Sequence, residues 1–162
     1  MYNNPKLAIV GYGRSGKDTA GIFLAKITDL KYNGSTSNVA LPYIAKELNL
    51  PEEKVWAARH ANKDYWKKWA DEFRKDDPTR LTYEASLHAD MIIGIRGKEE
   101  LLATQAAGLV ALTLWIENPR VPVDTTVDFD QSYADVVICN DADYSAFYRR
   151  LANFARFAGL FR

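Results

Sequence analysis

The sequence predicts an α/β fold, a mainly parallel sheet flanked by helices in three layers. Short apolar runs alternate with helical periods along most of the chain, and that alternation implies right-handed βαβ units. The first run, Lys6–Val10 (Lys-Leu-Ala-Ile-Val), is stopped by a glycine-rich turn, as suits a buried parallel strand. At 162 residues the chain is long enough to bury one core, so 1–162 is read as a single domain.

The elements follow in order. Lys17–Thr28 carries Ala20, Phe23, Leu24 and Ile27 at the spacing of a helix facing a core. Leu30–Tyr32 reads as a second short strand. Asn33-Gly34-Ser35-Thr36-Ser37 is a turn whose hydroxyls could equally cap a helix or hold a phosphate. Pro42–Leu48 is helical, and Pro51-Glu52-Glu53 opens another helix running to about Lys75. Asp76-Asp77-Pro78 breaks it, and a further helix spans Pro78–His88. Residues 42–88 thus form a helical insertion between strands. Met91–Ile95 is a strand, Gly97–Ala107 a helix closed by Gly108, and Leu109–Ile116 a strand. Glu117–Tyr133 has no clear period and is too long for an ordinary connection, which marks a lid-like loop. Asp135–Cys139 is the last strand and Tyr144–Leu160 the last amphipathic helix.

Composition narrows the function. Lysine plus arginine equals aspartate plus glutamate at 21 each, whereas a general nucleic-acid binder carries a basic excess or face. Cys139 is the lone cysteine, so no intrachain disulfide forms, and its apolar run suits a small buried hydrophobe. Met1–Lys6 is polar and lacks the apolar core of a signal peptide, and no stretch is long enough to cross a bilayer. A soluble cytoplasmic protein is expected.

The chemistry lies in Gly11-Tyr12-Gly13-Arg14-Ser15-Gly16-Lys17-Asp18-Thr19, which fits G-x-x-x-x-G-K followed by Asp-Thr. Glycines let backbone N–H groups turn inward around phosphate oxygens. The helix starting near Gly16 aims its positive end at the same phosphates. Lys17 adds a point charge on the β- and γ-phosphates. A strand enters and a helix leaves, which is the setting this motif needs, so a P-loop NTPase type of fold is expected. Asp18 stands where a Ser/Thr usually touches magnesium, and a carboxylate serves that ion directly or through water. Thr19 is assigned to the α-phosphate.

Gly-x-x-Arg-Ser-Gly-Lys-Asp-Thr at Gly11–Thr19 resembles the phosphate loop of phage deoxynucleoside monophosphate kinases, members of the nucleoside monophosphate kinase group. Asp90-Met91-Ile92-Ile93-Gly94-Ile95-Arg96 with Glu99-Glu100 and Ala106-Ala107-Gly108 is similar to that family's third-strand segment, and Asp135–Ile138 with Asn140-Asp141 to its final strand and turn. The resemblance covers residues 5–30 and 88–160 and is poor between 33 and 87. It implies an adenylate-kinase-like core, a mobile lid, ATP with Mg2+, and phosphoryl transfer to a (deoxy)nucleoside monophosphate. Its partners would be small nucleotides, with neither membrane nor nucleic-acid polymer; a homodimer stays open. A phage-encoded member would act in the host cytoplasm. Relatives often carry an aspartate near the end of the third strand where this chain has Gly94, so Asp18, Asp90 or water must anchor the magnesium.

The cations expected around the phosphates are Arg14, Lys17, Arg96 and Arg120. Lys17, Arg96 and Arg120 are assigned to catalysis. Gly11, Gly13, Arg14, Ser15, Gly16, Lys17, Asp18 and Thr19 are assigned to ATP, and Asp18 also to the metal. Asn140 is placed by analogy on the adenine side. Arg59 and Lys63, four apart and so on one helix face, are assigned with Arg74 and Arg96 to the acceptor phosphate. Each has a plainer reading: an ion pair of Arg96 with Glu99 or Glu100, an exposed loop arginine at 120, a solvated helix face at 59 and 63. Trp66, Trp69 and Phe73 recur at the spacing of core packing, and one could instead stack on an acceptor base. His60 and His88 give no metal signature, and Asp124, Asp128 and Asp130 read as a solvated loop. Two other acceptor or activity classes stay open: a kinase for another phosphorylated metabolite, and a regulatory nucleotide-binding module with little transfer. A GTPase is disfavoured, since Asn-Lys-x-Asp is absent.

Overall fold

Successive side chains of Leu7–Val10 (β1) point to opposite faces of a strand, and all four are buried. Both faces must therefore be covered, which is the requirement of a central strand in a parallel sheet. The computed structural model describes residues 6–161; the polar start Met1–Pro5 lies outside them. β1 is followed by α1 (Lys17–Ile27), α2 (Thr36–Leu48), α3 (Glu52–Ala57), a 3-10 turn at Arg59–Asn62, α4 (Lys63–Phe73) and α5 (Arg80–Ser86). Then come β2 (Met91–Ile93), α6 (Lys98–Ala106), β3 (Leu112–Glu117), a 3-10 turn at Gln131–Tyr133, β4 (Val136–Cys139) and α7 (Tyr144–Phe157).

The four strands pair in the order β2-β1-β3-β4, every pair parallel. Leu7, Ile9, Met91, Ile93, Leu114 and Ile116 face α1 and α7, meeting Ala20, Leu24, Phe147, Leu151 and Phe154. Ala8, Val10, Ile92 and Trp115 face the other way, onto Ala85 of α5 and Leu101 of α6. The expected α/β sheet with helices on both faces is thus present. A separate small core, Ala40, Ile44, Ala45 and Val55 with Tyr65, Trp66 and Trp69 against it, holds the insertion together.

Several expectations are corrected. Leu30–Tyr32 is not a strand: the Lys31 carbonyl accepts from Asp90 N at 2.9 Å beside the start of β2, and no ladder follows. The 33–37 turn caps a helix, because Ser35 N donates to Asn38 Oδ1 at 2.8 Å; α2 accordingly starts at Thr36, six residues before Pro42. The helix expected from Glu52 to Lys75 breaks at Ala58, whose carbonyl accepts from Asn62 Nδ2 at 2.9 Å. Cys139 is exposed, since β4 is an edge strand in which Ile138 alone is buried. The loop 117–133 is no free lid along its whole length. Val127 and Phe129 are buried in the β1/β2/β3 face, with the Phe129 ring edge-on to Trp115 at 6.0 Å.

Gly94 has a backbone reason. Its φ is 97°, and a Cβ there would lie 3.1 Å from Thr36 Oγ1 and 3.4 Å from Ser35 Cβ. The start of α2 packs against the end of β2, with Thr36 Oγ1 donating to Gly94 O at 3.4 Å. An aspartate, as the resemblance expected, does not fit this backbone. Gly94→Ala should lower the unfolding free energy by about 1–3 kcal/mol, the usual cost of a side chain in a glycine-only conformation, measured by urea denaturation.

Candidate functional site

The turn Gly11–Gly16 joins β1 to α1 and is shaped by close approaches. At Gly11 (φ 144°) a Cβ would meet Ile116 O at 2.7 Å; at Gly16 (φ 107°) it would meet Asn140 Nδ2 at 2.7 Å. Neither position accommodates a side chain. Ser15 N donates to Tyr12 O at 3.2 Å, and Asn140 Nδ2 donates to Ser15 O at 2.9 Å from the end of β4. Ser15 is buried beneath the turn, whereas Arg14 (φ 62°) is exposed above it. A cavity of about 230 Å3 opens at the turn, lined by Arg14, Gly16, Lys17, Asp18 and Thr19. The N-terminus of α1 faces it, so unpaired N–H groups and the helix dipole favour an anion there.

Lys17 and Asp18 line this opening, Arg96 is tied to its edge through Asp124 and Gly13 N, and Arg59 lies within electrostatic reach. Lys17 Nζ donates to Tyr12 O at 2.7 Å. Burial, then Arg96, push its ammonium down to about 8, against the opposing pull of Asp18 and Asp124. Arg59, in the 3-10 turn of the insertion, has its guanidinium 3.8 Å over the Trp56 ring. Burial lowers its pKa, as does Arg96, while Asp18 raises it. Arg59 is thereby brought within electrostatic reach of both Asp18 and Arg96. Asp18 accepts from Tyr32 Oη at 3.0 Å, and burial with this carboxylate pushes the phenol up to about 12. Gly21 makes room for that phenol, since a Cβ there would stand 2.8 Å from Tyr32 Cδ2.

Arg96 pairs with neither Glu99 nor Glu100. Its Nη1 donates to Asp124 Oδ2 at 2.7 Å and also to Thr126 Oγ1. Burial pushes the Asp124 carboxyl up, but the bonds from Thr126 and Arg96 outweigh it and hold it well below the usual carboxylate range. Gly13 N donates to the same Oδ2 at 3.1 Å.

Other assigned residues are found elsewhere. Asn140 holds the turn from below, and its own carbonyl accepts from Arg120 Nη2 at 2.9 Å. Arg120 is bonded to Asn140 and Asn118, and Asn140 to Ser15, and neither lines the cavity. Arg74 is bound by Glu100 and by Asp71 at 3.0 Å, an ion pair between the insertion and α6 that removes it from the acceptor set. Lys63 is exposed at the first turn of α4, and Arg59 precedes that helix, so the two do not share a helix face. Trp69 stacks on Phe73 at 4.7 Å and Trp66 meets Trp56 edge-on at 6.3 Å, which is packing.

Asp124 and Tyr32 are the site residues that sequence reading missed. Asp124-Thr125-Thr126 carries a local signal, because an Asp two residues before a Ser or Thr is an Asx-turn pattern, and Thr126 N donates to Asp124 Oδ1 at 3.0 Å. Tyr32 has no such signal; the ring is recruited by the gap at Gly21. Among the described residues no group of three or more His, Cys, Asp or Glu side chains gathers to hold a metal, and no helix is long and apolar enough to cross a membrane. No protein-family model matches the chain, and no curated protein matches it.

Glu100 sits apart from the opening, 4% exposed. Burial raises its carboxyl from 4.5 to about 7, although Arg74 opposes the shift. The native state then holds the proton through a range where the unfolded chain has lost it, so stability falls as pH rises from about 4.5 to about 7. Unfolding at pH 5 and pH 8 should show that slope, on the order of 3 kcal/mol, and Glu100→Gln should flatten it.

Proposed function

We propose that this protein is an ATP-dependent kinase that transfers the γ-phosphoryl group to a (deoxy)nucleoside monophosphate, built on a P-loop type of core. The observation that carries the reading is a glycine-rich strand–helix turn whose cavity is lined by Arg14 and Lys17, with Arg96 tied through the Asp124 carboxylate to the turn's Gly13 N–H. A simple nucleotide binder has no need of the second and third cations. Phosphoryl transfer has, because it proceeds by positioning two sets of phosphates and neutralising charge that spreads over the moving group.

In this mechanism the turn's N–H groups and the start of α1 hold the ATP phosphates, and Lys17 leaves the Tyr12 carbonyl for their oxygens. Arg96 and Arg59 hold the acceptor phosphate. Magnesium usually keeps several waters and takes one or two carboxylates plus substrate phosphates; Asp18, exposed beside the cavity, fits that role without a strand-end aspartate. When bound, the ion would neutralise phosphate charge. The absence of a strand-end carboxylate at Gly94 favours the second reading, a regulatory nucleotide-binding module with little transfer.

A coupled ADP-release assay with ATP, Mg2+ and a panel of nucleoside and deoxynucleoside monophosphates separates them. Acceptor-dependent ADP release is expected; silence with ATP binding intact would leave the regulatory module or another acceptor. Lys17→Ala should abolish both binding and turnover, and unchanged activity in it would end the phosphate-loop reading. Arg96→Ala should abolish transfer with ATP affinity within a fewfold. Because Lys17 titrates near 8 and phosphates need its ammonium, ATP affinity measured by calorimetry should fall as pH rises through about 8, and should be weak and flat in Lys17→Met.

A further inference from the structure

We propose that Asp124 is a positioning residue that couples Arg96 to the glycine-rich turn, so that Arg96 and Lys17 present their charges to bound phosphates as one rigid pair. The inference rests on the phosphoryl-transfer reading and adds a residue to it. Asp124 Oδ2 accepts at once from Gly13 N at 3.1 Å and from Arg96 Nη1 at 2.7 Å. Oδ1 accepts from Thr126 N at 3.0 Å and Thr126 Oγ1 at 2.6 Å, which fixes the carboxylate plane. Every contact on Oδ2 therefore joins two functional segments, and those on Oδ1 stay within the loop.

Two observations favour a fixed brace over a mobile latch. The backbone of Asp124 is tied down: its carbonyl accepts from Val127 N at 3.0 Å, Val127 is buried in the core, and Asp128 N donates to Arg96 O at 3.1 Å. The Arg96 main chain and the Asp124 segment thus move together. Gly13 is the second observation. Unlike Gly11 and Gly16 it has no positive φ, so no backbone conformation demands glycine there. What its missing side chain makes room for is Asp124, whose Oδ2 would lie 3.0 Å from a Cβ. A carboxylate between two cations also offsets their repulsion: Lys17 and Arg96 act against each other, and Asp124 and Asp18 oppose that effect at Lys17. Without Asp124, a guanidinium with half its side chain exposed loses its ion-pair partner and the pair loses its geometry.

The test uses adenosine pentaphosphates ending in each of the four deoxynucleosides, which span donor and acceptor seats without turnover, with ATP as the donor-only reference. Affinities are measured by calorimetry for the whole protein and for Asp124→Ala, Asp124→Asn, Arg96→Ala and the Asp124→Ala/Arg96→Ala double variant. Thermal melting checks that each variant folds, and Asp124→Asn retains the Asx turn should Asp124→Ala not fold. We expect Asp124→Ala to weaken the best pentaphosphate about 10–100-fold, the scale of a displaced positioning group, with ATP changed by about 3-fold or less. Asp124→Asn should fall between. In the double variant Asp124→Ala should add nothing to Arg96→Ala, because it acts through Arg96. Additive losses, equal losses for ATP and pentaphosphate, or tighter pentaphosphate binding in either Asp124 variant would overturn the proposal; tighter binding would make the carboxylate a competitor of the phosphates. A wild-type protein that binds no pentaphosphate more tightly than ATP would instead defeat the transfer reading, a signature separate from any variant.

Discussion

The hydrogen bond from Asn140 Nδ2 to Ser15 O joins the last strand to the first turn, across 125 residues of chain. It is buried, and a buried polar group left unpaired costs on the order of 1–3 kcal/mol, so the bond and its surroundings form together. Gly16 must be glycine because the amide reaches to 2.7 Å of where a Cβ would stand. Asn140 N in turn donates to Glu117 O at 2.6 Å, beyond the β3–β4 ladder, and its carbonyl collects Arg120. One asparagine thereby holds the turn, the end of the sheet and the start of the 117–133 loop in a single arrangement. The cavity at the turn inherits its shape from that arrangement.

Electrostatics then decides what the cavity is suited to. The chain is neutral overall, yet around the turn Lys17, Arg59 and Arg96 alternate with Asp18 and Asp124. Burial first, and then Arg96, lower the Lys17 pKa. The carboxylates oppose that shift. They hold the cations in place, so an anion that bound there would not have to order them. Net charge therefore carried no information about the site, and a local alternation of sign carried it all.

Periodicity made the strands, the flanking helices and the motif at 11–19 legible, because each depends on residues adjacent in sequence. The element types for β1, α1, β2, α6, β3, β4 and α7 needed no tertiary knowledge. What stayed illegible was set by distant partners. Leu30–Tyr32 has the composition of a strand but meets β2 through Lys31 alone. Arg74 reads as a cation for an acceptor phosphate until Glu100 of α6 is found beside it. Asp124 and Asp128 belong to a stretch whose apolar members, Val127 and Phe129, are core residues. The alternation there was the mark of a buried anchor, and reading it as a solvated loop hid both the anchor and the carboxylate it carries.

The insertion raises a different question, since it brings Arg59 to the opening yet keeps its own core around Ile44 and Val55. Its last helix, α5, does not share that core: Ala85 is buried against the sheet. The insertion's polar ties include Arg74 on buried Glu100, Thr82 against Thr104 of α6, and Lys6 on the Ser86 carbonyl, while Thr36 on the Gly94 carbonyl lies just ahead of it. Burial raises the Glu100 pKa to about 7, so its tie to Arg74 becomes a full charge pair only as pH rises past that value, whereas the Thr36 hydroxyl bond at 3.4 Å is long at any pH. Glu100 lies at the N-terminal turn of α6 and Thr36 at that of α2. The segment that carries Arg59 is therefore anchored to the sheet through both Arg74 and α5.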